Sequence, residues 1–181
     1  MGLQLTKLAP LRMSAIEIPD LLGRFVITTL TFEDLASLDG EELGSASNPY
    51  AVIGLIIFAS VKAGANLNSS SRGTALKSKR LLPDTSQTEI ELRFAKPQGG
   101  FGFFYRAPHA TLLKVTALDS QETALEEAVF RNGEGYAGVI RAIAEIGCVR
   151  IVARIESLNP VEDSCFYIDD LSFGRDLKAA F

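Results

Sequence analysis

Apolar and polar residues alternate with a period of two along most of this chain, and a helical period is scarce. The cleanest run is Glu89-Ile90-Glu91-Leu92-Arg93-Phe94, with one apolar face and one charged face. Val149, Ile151, Ala153 and Ile155 repeat the pattern against Arg150 and Arg154, and Leu113, Val115 and Ala117 do so again. Each predicts a strand with one face in a core and one in water. Gly54 to Phe58 and Phe101 to Tyr105 are apolar on both faces and predict central strands. Phe25 to Glu33 predicts the first strand of the domain and Phe166 to Phe173 the last. A strand, a turn at Ser120–Thr123 and a further strand are expected across Leu118 to Val129.

Turn signals punctuate these runs at Asp39-Gly40, Asn48-Pro49, Pro83-Asp84, Pro97 to Gly100, Ala107-Pro108 and Asn132-Gly133. The serine-rich stretch Asn66 to Gly73 is expected to be an exposed loop. Short strands with frequent turns predict an all-β fold, a jelly-roll β-sandwich of two antiparallel sheets. The domain is expected to span 23–176, after an N-terminal extension over 1–22 with at most one short helix, and before a tail over 177–181. Met1-Gly2-Leu3-Gln4-Leu5-Thr6 fits the N-myristoylation pattern formally, but a plain extension is the expectation.

Two strings break the strand pattern: Phe32-Glu33-Asp34 and Ile168-Asp169-Asp170-Leu171. Aspartate is depleted in strands, and adjacent carboxylates repel. A cation held between the two ends of the domain would offset that cost. Alternatively, the acids cap turns or pair with an arginine such as Arg24. Asp169 shares its strand parity with Leu171 and Phe173, so it is expected to face inward and to need a partner there.

The chain has 181 residues, of which 47% are hydrophobic and 22% charged, the composition of a folded globular domain. Acidic residues outnumber basic ones by 22 to 18, and the net charge of −4 argues against a nucleic-acid partner. Lys77, Lys79 and Arg80 form a small basic cluster that a solvated strand face explains. The longest apolar run, Ala51 to Ala59, is far short of the roughly 20 residues that span a membrane, and no secretory signal is evident. Cys148 and Cys165 lack metal-ligand spacing. A hairpin between 148–156 and 165–173 would hold them too far apart to bridge, so two free thiols are expected.

The succession of Thr31-Phe32-Glu33-Asp34-Leu35, Tyr50 to Phe58 and the strand 89–94 continues through Phe101-Gly102-Phe103, strand 112–118 and Tyr136-Ala137-Gly138-Val139. It ends with Ile146 to Ile155 and Ile168-Asp169-Asp170-Leu171-Ser172-Phe173-Gly174. This order resembles the jelly-roll domain of bacterial exported and surface proteins of the PEP-CTERM kind. That domain is similar in fold to galactose-binding-like and carbohydrate-binding modules. Two features differ: no sorting tail follows Phe173-Gly174 here, and the usual Asp-x-x-Gly turn reads Asp119-Ser120-Gln121-Glu122.

The resemblance implies neighbouring first and last strands, with a structural calcium (Ca²⁺) near their ends. Glu33 and Asp169 would be its ligands, with Asp34 and Asp170 as second choices. It also implies an extracellular or cell-surface location and a glycan partner.

A glycan site needs aromatic platforms among polar groups, and the chain has no Trp. The best cluster is Phe104, Tyr105, Arg106 and His109, with Tyr105 stacking and Arg106 or His109 donating; core aromatics before a Pro-stiffened loop are the plainer alternative. Tyr50, Tyr136 and Tyr167 are expected to pack at sandwich edges. Catalysis finds little support: there is one histidine and no nucleophile-elbow, GxGxxG or P-loop motif. The expected function is a non-catalytic binding or surface module, not an enzyme. The alternatives are a self-associating structural protein and, further off, a carboxylate-based glycosidase, for which Glu89 and Glu91 are a candidate pair that a solvated strand face explains better.

Overall fold

The computed structural model describes residues 25–68, 71–80, 87–141, 143–155 and 165–176. The expected N-terminal extension with its short helix, Arg24, the Pro83-Asp84 turn and the tail 177–181 lie outside the described residues. The described chain is all β apart from two short 3₁₀ turns, at Glu33–Leu38 and Pro49–Ile53. Its strands are β1 (Phe25–Leu30), β2 (Glu42–Leu43), β3 (Leu55–Asn68), β4 (Ser71–Lys77), β5 (Lys79–Arg80) and β6 (Gln87–Gln98). They continue with β7 (Gly100–Leu118), β8 (Ala124–Ile140), β9 (Ile146–Ile155) and β10 (Tyr167–Asp176). No helix among the described residues is long and apolar enough to cross a membrane.

Every strand pairing is antiparallel. The ladders run β3–β6–β9–β7–β10–β4 and return to β3, so they close on themselves. One layer holds β1, β10, β4 and the first half of β7. The other holds β6, β9, the start of β3 and the second half of β7. The result is the expected jelly-roll sandwich, with long strands turning the corners between its layers.

That continuity corrects two expected turns. Ala107-Pro108 and Asn132-Gly133 do not separate strands; β7 and β8 run through them together, with Ala107 paired to Gly133. The β7–β8 register shifts just beyond, between Ala107 and Leu112. Proline lacks a ladder donor, and Gly133 takes φ 111°, so the hairpin bends here instead of ending. The serine-rich stretch is likewise not simply a loop: Asn66–Asn68 extend β3, and Ser71–Gly73 open β4.

The period-two pattern places the core as expected. Ile90, Leu92, Leu113, Val149, Ile151 and Ala153 are fully buried, and Val115 and Ala117 are buried with them. On the opposite face Arg150 meets Glu89 at 3.1 Å and Glu91 at 3.0 Å, and Arg93 reaches Glu122 at 3.0 Å. These carboxylates belong to a surface ion-pair lattice. In the basic cluster, Lys79 pairs with Glu42 at 2.9 Å and Lys77 lies 5.9 Å from the Tyr167 ring centroid. Leu118 closes β7, and Asp119 Oδ1 caps the following turn by accepting from Gln121 N and Thr123 N, both at 2.8 Å. Glu122 takes φ 63° where the resembling pattern carries glycine.

Cys148 and Cys165 are both free. The expected hairpin between their strands does not form, because β9 lies between β6 and β7 while β10 pairs with β1, β4 and β7. Burial pushes the Cys148 thiol up to about 12, with the nearby Glu91 adding to it, so it stays protonated and inert.

Candidate functional site

The first strand of the described domain pairs along its whole length with the second half of the last, from Phe25↔Asp176 to Leu30↔Leu171. This is the closure that the resemblance implies, but both acidic strings leave the regular strand. β1 ends at Leu30, and Glu33 and Asp34 begin the first 3₁₀ turn, where anions suit the exposed N–H groups. Phe32 precedes them in the left-handed region, φ 59° and ψ 7°, and is fully buried. Its ring, 6.0 Å from that of Tyr50, anchors the turn and leaves Glu33 and Asp34 exposed.

In β10 the register against β7 shifts between Asp169 and Ser172, and Asp170 takes φ 49°. One extra residue therefore stands in this strand as a β-bulge, and aspartate tolerates the left-handed conformation better than most residues. The bulge reverses the parity: Phe166 and Ile168 are buried before it, Leu171 and Phe173 after it. Asp169 thus does not share the inward face of Leu171, contrary to the strand-parity expectation, and is half-buried at the bulge.

The structure brings Glu33, Asp169 and Asp170 together and separates Asp34. Glu33 Oε1 accepts from the Thr74 N–H at 3.0 Å. A Cβ on Gly73 would collide with Glu33 Oε1 and would lie 4.0 Å from Asp169 Oδ2, so the missing side chain leaves a space that both carboxylates flank. Asp169 Oδ1 accepts from the Asp170 N–H at 2.8 Å. Burial, with Asp170 and Glu33 repelling, pushes the Asp169 carboxyl up to about 7. Burial and Glu33 also raise Asp170. Asp34 points elsewhere and accepts from the Tyr50 hydroxyl at 2.6 Å.

A cation between Glu33 and Asp169 would relieve this repulsion, so these two residues suit the implied metal in charge. No group of three or more His, Cys, Asp or Glu among the described residues is arranged to hold a metal. A calcium here would therefore take most of its oxygens from backbone and water.

The expected ligand rim does not assemble around Tyr105. Its ring is 5% exposed and packs 5.6 Å from Phe130, and Phe101, Phe103 and Ala107 are buried on the same side of β7. A buried ring cannot be a stacking platform. Arg106, next along the strand, projects from the opposite, exposed face. The side chain of His109 lies outside the described residues.

Phe104 shares the outer face with Arg106 and meets Tyr136 of β8 edge-on, with centroids 5.3 Å apart and planes at 79°. The Tyr136 ring lies across Gly102, where any Cβ would strike its hydroxyl and ring carbons, with Cζ at 2.6 Å. Ser172 lies beside its hydroxyl, and Thr29 Oγ1 stands 3.1 Å from Ser172 Oγ. Burial and the nearby Asp170 hold the Tyr136 phenol up, to about 12. An aromatic corner with hydroxyls and a carboxylate around it thus occupies the outer face of β1, β10, β7 and β8. Sequence reasoning assigned Tyr136 to a packing role. Its signal was Gly102 two strand positions from an outward Phe104, a gap that a cross-strand aromatic fills.

No family model and no curated protein matches this sequence. Among solved structures, the chain is similar to TmCBM61 in complex with β-1,4-galactotriose, at 13% identity over 81% of this chain and 97% of that one, TM-score 0.43. It is also similar to the K2 cleaved adhesin domain of Lys-gingipain, at 10% identity over 82% and 99%, TM-score 0.43. A family 32 carbohydrate-binding module from C. perfringens NanJ in complex with galactose matches at 13% identity over 65% and 92%, TM-score 0.40. Likenesses this loose carry nothing about the site.

Proposed function

We propose that this chain is a non-catalytic binding module that takes a glycan on the outer face of its β1–β10–β7–β8 layer. The observation that carries the reading is the corner made by Phe104 and Tyr136 over Gly102. A sugar ring presents C–H groups to one aromatic face, while its hydroxyls reach Ser172, Thr29 and Asp170. Glu89 and Glu91 are held by Arg150 and lie in the ion-pair lattice. An extracellular or cell-surface setting belongs to the same reading.

A structural Ca²⁺ completes the proposal, with Glu33 and Asp169 as charged ligands and Asp170 adding to the field. Asp34 is not included, because Tyr50 holds it. The cation would join the first 3₁₀ turn to the bulge of β10 and tie down the domain's closure.

A glycan array with purified protein tests the first part. Binding that is lost in Phe104→Ala and Tyr136→Ala, both still folded by thermal melting, supports it. No glycan signal, or binding unchanged in both variants, removes it. Release of reducing sugar that is lost in Glu89→Gln or Glu91→Gln would instead make the protein a carboxylate-based glycosidase. Melting at neutral pH with calcium and with chelator tests the metal; equal midpoints remove it.

A further inference from the structure

At the end of the sandwich away from the bulge, the second 3₁₀ turn opens a cleft of about 560 Å³ between the layers. Val52, Ile53, Ala95 and Phe173 give it apolar walls, and Lys96 and Arg175 stand among them. Val52 is 91% exposed and Ile53 48%, far more than the other branched residues of this region. Their exposure follows from local sequence. Asn48 Oδ1 caps the turn by accepting from Tyr50 N at 3.0 Å, and Pro49 sits at its first position. Gly54 ends it at φ 79°. The turn is thereby fixed at both ends, with two aliphatic side chains held out at the cleft.

Lys96 and Arg175 are both exposed, and neither enters an ion pair among the described residues. The described lining carries no carboxylate. Its neutral polar side chains are Thr28 and Gln98, and the Gln98 amide already donates to Lys96 O at 2.6 Å. A sugar would leave most of its hydroxyls unmatched in such a cleft, which costs affinity. An aliphatic body would bury apolar area against Val52, Ile53 and Phe173, and an attached carboxylate would meet two cations that lack other partners. This chain as a whole is acidic, so the local pair of cations runs against its average.

We infer that this cleft is a second ligand site, separate from the aromatic corner, and that it takes a small amphiphilic carboxylate with an apolar tail. Recognition divides between the walls and the mouth: the tail lies along Val52, Ile53 and Phe173, and the carboxylate lies between Lys96 and Arg175. Either half alone is insufficient, since a bare carboxylate gains little from exposed cations and an uncharged tail leaves them unmatched.

Calorimetric titration of the full chain with sodium decanoate below its critical micelle concentration tests this, with decanol and sodium acetate as controls. Saturable decanoate binding is expected, with about tenfold or greater weakening for each control. The double variant Lys96→Gln/Arg175→Gln, changed at two exposed positions, should melt like the parent and lose about tenfold or more in decanoate affinity. Val52→Ser should weaken decanoate binding without changing the response to acetate. No binding of decanoate, equal binding of decanol, or full affinity in the double variant would each overturn the inference. Glycan binding at Phe104 and Tyr136 is read separately and stands or falls on its own.

Discussion

The hydroxyl of Tyr50 donates to Asp34 Oδ1 at 2.6 Å, and this bond joins the two 3₁₀ turns seen among the described residues. Burial and the adjacent carboxylate both raise the Tyr50 phenol, so it remains a donor across the working pH range. Tyr50 is 6% exposed, so Tyr50→Phe keeps the packing and removes only the bond. The expected cost is about 1–2 kcal/mol, read as a shift in denaturant midpoint. Any calcium response should survive the change, because Asp34 is not a proposed ligand.

The acid cluster gives a pH dependence of defined sign. In chelator, Asp169 holds its proton to about pH 7 when folded and only to the ordinary carboxylate value of 3.8 when unfolded. The folded state then binds more protons between those values, so stability falls as pH rises through that window. It is greatest below about pH 4 and lowest above about pH 7. With partial exposure screening the repulsion, the drop should be about 1–2 kcal/mol. Asp169→Asn should flatten this part of the profile and melt higher than the parent at pH 8 in chelator. It should also abolish any stabilisation by calcium. A profile unchanged by the substitution would contradict the assignment.

The two tyrosines near β7 should separate cleanly. Tyr105→Ala removes a ring from the core and should cost ~3–5 kcal/mol whatever ligand is present. Gly102→Ala pushes a methyl group into the Tyr136 hydroxyl, and overpacking of this kind costs ~1–3 kcal/mol. Tyr136→Ala vacates that space, so the double variant should be more stable than the two separate losses predict. A double-mutant cycle on urea midpoints measures the difference.

Glu122 tests the turn at which this chain departs from the pattern it resembles. Its φ of 63° favours glycine, whereas its ion pair with Arg93 is exposed and worth little. Glu122→Gly should therefore match or exceed the parent in stability. Glu122→Ile, a β-branched residue forced into the left-handed region, should lose about 1–2 kcal/mol.

Alternation made the layers legible, because burial of Ile90, Leu92, Val149 and Ile151 depends only on period and sheet face. Closure of the domain by its first and last strands was legible through the resemblance. The conformations of Phe32 and Asp170 were not, since a left-handed residue inside an apolar string leaves no compositional mark. That one bulge reversed the parity of β10 and moved Asp169 off the inward face. Asn132-Gly133 and Ala107-Pro108 misled for the opposite reason. Residues that make turns also make bends, and only pairing across the hairpin tells which. Tyr105 and Phe104 differ by one position, yet the ladder register alone decides which ring meets water.

Closing the ladders through β10 has a consequence for how the chain reaches this state. Thr29 and Ser172 touch across 143 residues of sequence. Among the described strands, β10 leaves the ribosome last, and β1, β4 and β7 all wait for it. Contacts so distant carry a large loop-closure cost before they return any free energy, so folding should be slow and should complete only after synthesis of β10. Until then, three strand edges stand open to other chains.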